Sequence, residues 1–140
     1  MNFTIKYDLV NENIPDEVKG KDEIFKFIKN FPWEEKYLVG DEELSYPSID
    51  IINNADKKLL TLTALEQKNE LLFTVESFNV GKLARGTIGT IINDAPFGKV
   101  LEILELFCNQ RYPEIQKLDN TGIVSKILRK IIYLFATDDD

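Results

Sequence analysis

The chain is 140 residues long, 44% apolar and 29% charged, a balance that suits a single globular domain over residues 1–140 with enough apolar chain to build a core. Seventeen Lys and Arg against 24 Asp and Glu give a formal charge of −7, and histidine is absent. That absence excludes histidine-dependent hydrolase triads, histidine-ligated zinc and imidazole acid–base catalysis, each of which needs a ring nitrogen that titrates or coordinates near neutrality.

The lone cysteine, Cys108, has no partner for an internal disulfide, so the fold is expected to rest on its core alone, in a reducing compartment. Residues 1–10 lack the basic flank and continuous apolar stretch of a signal peptide, and no segment reaches the ~20 apolar residues that span a bilayer. A cytoplasmic location is expected. The negative charge disfavours direct binding of nucleic acid or an anionic membrane.

Phe3, Ile5, Tyr7 and Leu9 alternate with Thr4, Lys6 and Asp8, which predicts a first strand. Val10 to Lys21 has a loop composition, and Asp22 is placed to cap a helix carrying Ile24, Phe27, Ile28 and Phe31 on one stripe, widened by Phe25. Pro32 ends that helix by disfavouring helical geometry at Phe31. Three strands follow: Pro47 to Ile52, Lys58 to Leu65, and one built on Leu71, Phe73 and Val75. The turns between them, Asn53 to Asp56 and Gln67 to Asn69, are short enough to force an antiparallel meander. Gly81, Gly86 and Gly89 then leave room for a short or bulged strand ending near Ile92.

Asp94 is read as the cap of a second helix, whose stripe is Phe97, Val100, Leu101, Leu104, Phe107 and Cys108, closed by Tyr112 and Pro113. A third helix from Thr121 to Phe135 repeats the pattern through Val124, Ile127, Leu128, Ile131, Leu134 and Phe135, and both long stripes are expected to cover the sheet. Its other face, with Lys126, Arg129 and Lys130, is the most basic in the chain, and Asp138 to Asp140 beyond it read as a solvated tail. The expected class is α+β: an antiparallel sheet of four to five strands packed against about three helices.

The charge is uneven. Met1 to Asp50 holds twelve acids and six bases, a net of −6, against a net of −1 over the remaining residues. Within it, Trp33, Glu34, Glu35, Tyr37, Asp41, Glu42, Glu43 and Tyr46 set aromatic rings among carboxylates. That mixture suits a binding surface for a basic protein, because rings supply desolvated area and carboxylates supply steering and charge-assisted hydrogen bonds. The competing reading has Trp33 packed inward and the acids merely solvated.

The same acids could serve as an acid–base pair or as metal ligands, but adjacent residues diverge in direction and no calcium-loop order is present, so neither a catalytic nor a metal site is assigned. Gly81, Lys82, Arg85, Gly86, Thr87 and Gly89 hold the materials of an anion nest without the spacing of a phosphate-binding loop. Cys108, on an apolar stripe without an activating base, reads as a buried thiol.

A short acidic chain with a lone early strand and helix, the run Phe31, Pro32 and Trp33, a meander opened by Tyr46, Pro47, Ser48 and Ile49, and a late helix reading Val100 to Phe107 resembles the immunity proteins that bacteria carry beside polymorphic or contact-dependent growth inhibition toxins. The resemblance implies stoichiometric binding of a cognate toxin domain, often a nuclease, in the cytoplasm of the producing cell, with no catalysis and no cofactor. The alternatives are a small acidic protein-interaction adaptor and a carboxylate-dependent enzyme.

Overall fold

The computed structural model describes residues 2–7, 17–33, 47–67, 70–80 and 89–135. The fold is α+β. Six strands form one sheet in the order β2-β1-β3-β4-β5-β6, with β1 Asn2–Tyr7, β2 Glu17–Gly20, β3 Ser48–Asn53, β4 Lys58–Gln67, β5 Glu70–Asn79 and β6 Thr90–Ala95. Every neighbouring pair is antiparallel. The helices are α1 Lys21–Asn30, α2 Phe97–Cys108, the short α3 Tyr112–Gln116 and α4 Ile123–Phe135.

The meander follows the alternation of its side chains. Ile49 and Ile51 of β3 lie opposite Leu62 and Leu60 of β4, which put the same face toward the helices as Phe3 and Ile5 of β1 and Phe73 and Val75 of β5. All of these are almost fully buried. Ile24 and Ile28, one helical turn apart, bring α1 onto that face, and Val100, Ile103, Leu104 and Phe107 bring α2 onto it, so that the Phe3 and Phe107 rings meet at a tilt of 41° with centroids 6.1 Å apart. Ile115 of α3 closes the layer. On the other face Ser48, Thr63, Asp50 and Thr61 pair by hydroxyl and carboxylate hydrogen bonds, and Phe78 lies opposite Leu59.

Several local expectations are corrected. The stretch expected to be loop contains a sixth strand, β2, paired with β1 from Asn2–Gly20 to Ile5–Glu17. Helix α1 starts one residue before Asp22: Gly20 is its cap, and Glu23 accepts a hydrogen bond from the Gly20 N–H at 3.3 Å. Pro32 does end it, with Phe31 in extended geometry. Strand β6 runs past Ile92 to Ala95 with a register shift against β5. Asp94 therefore belongs to the strand, with φ at 57°, and Pro96 takes the cap position of α2.

Tyr112 and Pro113 do not close α2; they open α3. The end of α2 is a Schellman turn, in which the Arg111 N–H donates to the Leu106 carbonyl, the Gln110 N–H donates to that of Phe107, and Gln110 takes the left-handed conformation at φ 61°.

The largest correction concerns α4. The helix forms, but Val124, Ile127, Leu128 and Ile131 do not cover the sheet; they are exposed. The cause lies at its root. The segment between α3 and α4 is fastened along the outer edge of β6, where the Ile91 N–H donates to Asp119 Oδ2 at 3.0 Å and the Asn93 N–H donates to Asn120 Oδ1 at 2.8 Å. Asn120 gives its backbone N–H to the Ile91 carbonyl and its side-chain amide to that of Asn93. The outward backbone groups of the edge strand are thus satisfied, and α4 departs from beyond the sheet whose helix-facing side already carries α1, α2 and α3.

Candidate protein-binding surfaces

Trp33 is the sequence-predicted site residue that the structure describes. It follows the α1 terminus and turns inward, 5% exposed. Its Nε1–H donates to the Ile28 carbonyl at 3.1 Å, and its ring meets Phe73 edge-on at 5.0 Å and Phe31 at 4.6 Å. The inward reading of Trp33 therefore holds: its indole serves as a fixed root and not as a protruding anchor. Glu34, Glu35, Tyr37, Asp41, Glu42, Glu43 and Tyr46 lie outside the described residues, as do the basic and glycine positions 81–88 and the tail of Asp138 to Asp140.

Beside Trp33 opens a groove of about 650 Å³, lined by Lys29, Phe31, Pro32, Trp33, Leu71, Phe73 and Phe97. Its walls are the α1 terminus, the start of β5 and the start of α2. Phe31, Trp33 and Phe73 are buried beneath it, Leu71 and Phe97 are half-buried, and Pro32 and Lys29 form an exposed rim. Aromatic walls with a single charged lining residue favour apolar side chains as occupants.

A second surface is the apolar side of α4. Ile123 and Val124 are 75% and 71% exposed, and Ile127, Leu128 and Ile131 between 44% and 52%. Five large aliphatic side chains exposed on one element form the kind of patch that marks an interaction site rather than scattered surface hydrophobicity. Lys126 is tied back to the nearly buried carboxylate of Asp119 at 3.9 Å, and the Asp119 carboxylate also accepts the Thr121 N–H at 2.9 Å, which closes the turn into the helix.

Two polar clusters are structural. At the β3–β4 turn, Asp56 Oδ2 accepts from the Tyr112 hydroxyl at 2.6 Å, from Gln110 Nε2 at 2.7 Å and from Asn53 Nδ2 at 3.1 Å. These donors, the Tyr112 hydroxyl foremost, hold the Asp56 carboxyl below its usual range, while burial and the Asp56 charge push the Tyr112 phenol up. The cluster staples the turn to the α2–α3 junction and was missed from the sequence because its two halves, Asn53 with Asp56 and Gln110 with Tyr112, lie more than fifty residues apart.

At the α1–α2 contact Lys21 Nζ meets Glu105 Oε1 at 2.8 Å and Asn109 Oδ1 at 3.2 Å, above the buried Cys108, whose thiol is pushed up to about 11 by burial. A thiol raised in this way is a poor nucleophile at neutral pH.

Among the described residues no group of three or more Cys, Asp or Glu side chains is arranged to hold a metal ion, and no helix is long and apolar enough to cross a membrane. No protein-family model, curated protein or solved structure matches the chain.

Proposed function

We propose that this chain is an immunity-type inhibitor, a domain that binds a basic toxin domain, such as a nuclease, stoichiometrically in the cytoplasm and obstructs its substrate groove. The observation that carries the reading is the fixing of Trp33: the run from Glu34 to Tyr46, with five carboxylates at Glu34, Glu35, Asp41, Glu42 and Glu43, starts from an indole locked between the Ile28 carbonyl and the Phe73 ring. A set of charges issuing from a rigid root loses less freedom on binding than one on a loose tether. In this reading the carboxylates take the part of nucleic-acid phosphates toward a basic groove, and Tyr37 or Tyr46 supplies the desolvated centre.

The test is to co-express the chain with the product of the adjacent gene, then compare the native chain with the double reversal Glu42→Lys and Glu43→Lys. The native chain should co-purify with that product and restore growth. The reversal, with unchanged circular dichroism and melting, should lose affinity by at least about tenfold, equivalent to about 1.4 kcal/mol. Undiminished binding and protection by a folded double reversal would remove this surface from recognition.

The second reading is a protein-interaction adaptor, favoured by the uncovered apolar side of α4. An adaptor would bind a protein partner without restoring growth to toxin-producing cells.

A further inference from the structure

We propose that the outer edge of β6 is a latent strand-pairing surface for a second copy of this chain, and that Asp119 and Asn120 form a clasp that keeps it closed. The clasp acts whether or not a toxin is the partner of the acidic run.

Strand β6 ends the sheet order, and an edge strand with free backbone groups is a template for pairing with another chain. Ile91 and Asn93, two residues apart, turn both their N–H and their C=O groups outward, and the clasp meets all four. The Ile91 N–H donates to Asp119 Oδ2 at 3.0 Å, and the Ile91 carbonyl accepts the Asn120 N–H at 3.2 Å. The Asn93 N–H donates to Asn120 Oδ1 at 2.8 Å, and the Asn93 carbonyl accepts Asn120 Nδ2 at 2.8 Å. Two consecutive residues thus replace a neighbouring strand bond for bond, with three of the four bonds made by side chains.

The clasp is itself braced. The Asp119 side chain is only 5% exposed, and its other oxygen accepts the Thr121 N–H at 2.9 Å and lies 3.9 Å from Lys126 Nζ. A carboxylate held against the edge also opposes an incoming strand, whose own carbonyl oxygens would meet its charge.

A second copy is the occupant because the exposed set is self-complementary. In a two-fold antiparallel pairing centred on Ile92, Ile91 of one copy lies opposite Asn93 of the other, and each such pair exchanges both hydrogen bonds. The four groups that each clasp satisfies are then the four that the second strand would satisfy. Pairing is confined to this short run, since Asp94 turns out of regular strand geometry at φ 57°.

The experiment combines amide hydrogen exchange with sedimentation velocity on the full chain, from low to high micromolar concentration. In native protein the Ile91 and Asn93 amides should be protected at every concentration. In the double variant Asp119→Ala with Asn120→Ala they should exchange at least tenfold faster when dilute, while the amides of α2 keep their protection. On concentration the variant should form a dimer and recover protection at Ile91 and Asn93. Adding Ile91→Pro, which removes an outward donor and no bond to β5, should return that variant to monomer.

Native amides at Ile91 and Asn93 that exchange as freely as unpaired ones overturn the proposal. So does a folded double variant that stays monomeric, or one whose dimer persists with Ile91→Pro and so uses another surface. If the double variant does not fold, Asn120→Ala alone, which retains the Asp119 bonds to Ile91 and Thr121, decides the matter: faster exchange at Asn93 with a dimer on concentration supports the clasp, and a monomer throughout overturns it.

Discussion

Gly89 shows how a single missing Cβ shapes the far side of the sheet. A methyl group there would lie 2.4 Å from Cδ1 of Phe78 and 3.1 Å from the Ser77 carbonyl oxygen, and Phe78 is only 4% exposed, so its ring has little room to yield. Gly89→Ala should therefore destabilise the fold by about 1–3 kcal/mol, the usual cost of overpacking, as read by chemical denaturation. An unchanged midpoint would mean that the Phe78 ring is free to move aside.

Cys108 gives the pH counterpart. Burial raises its thiol to about 11 from an ordinary 9.0, so the folded state holds its proton where the unfolded state releases it. The stability this contributes is complete below pH 9 and is lost as pH rises from about 9 to about 11. Native protein at pH 8 should react with a thiol reagent only as fast as it unfolds. Cys108→Ala should flatten the alkaline fall in stability over that window, leaving the parts due to Tyr112, whose phenol is also held protonated by burial and by Asp56, and to Lys21, whose ammonium is held protonated by its hydrogen bond to Glu105.

At the level of elements, most of the sheet and two of the helices were legible because periodicity records which face a side chain takes. Leu60, Leu62 and Ala64 are buried as their alternation requires, and Pro32 ends α1 where its missing donor dictates. Strand β2 was not legible. At four residues it is held by pairing with β1, a long-range interaction that leaves little mark in a short stretch of mixed polarity. Asp94 resembled a cap but was claimed by the irregular end of β6.

Helix α4 teaches more, because its stripe was read correctly as helical and wrongly as core. Amphipathicity says that a face will be covered and is silent about whether the cover belongs to the same chain. The same logic applies to the candidate surface: Trp33 was recognisable as a key residue, but only its bond to Ile28 and its contact with Phe73 distinguish a root from an anchor.

Two equivalent truncations separate the helices. Leu104→Ala on α2, fully buried, should cost about 2–5 kcal/mol through lost burial and a residual cavity. Ile127→Ala on α4, half exposed, should change the stability of dilute protein by less than about 0.5 kcal/mol. A large loss from Ile127→Ala in a monomeric sample would place that side chain against its own fold.

At the scale of the whole molecule, charge segregation sets the terms on which this chain meets others. The acid excess concentrates in Met1 to Asp50, with a net of −6, while α4 at the other end of the sequence carries only bases. Lacking histidine, the chain does not alter this distribution through imidazole titration between pH 5 and 8, so salt and not mild acid is the variable that should control association.

Exposed charges are screened beyond about 8 Å at physiological ionic strength, which acts on the diffusional encounter more than on the packed complex. If the acidic run meets a basic toxin, stopped-flow association should slow by about tenfold or more from low to high salt, with dissociation changing far less. The double reversal at Glu42 and Glu43 should remove most of that dependence, while Ile127→Asp with Leu128→Asp should leave it intact, because those residues belong to the other surface. Association that is indifferent to salt, or equally salt-dependent after the reversal, would show that the carboxylates after Trp33 do not steer the partner.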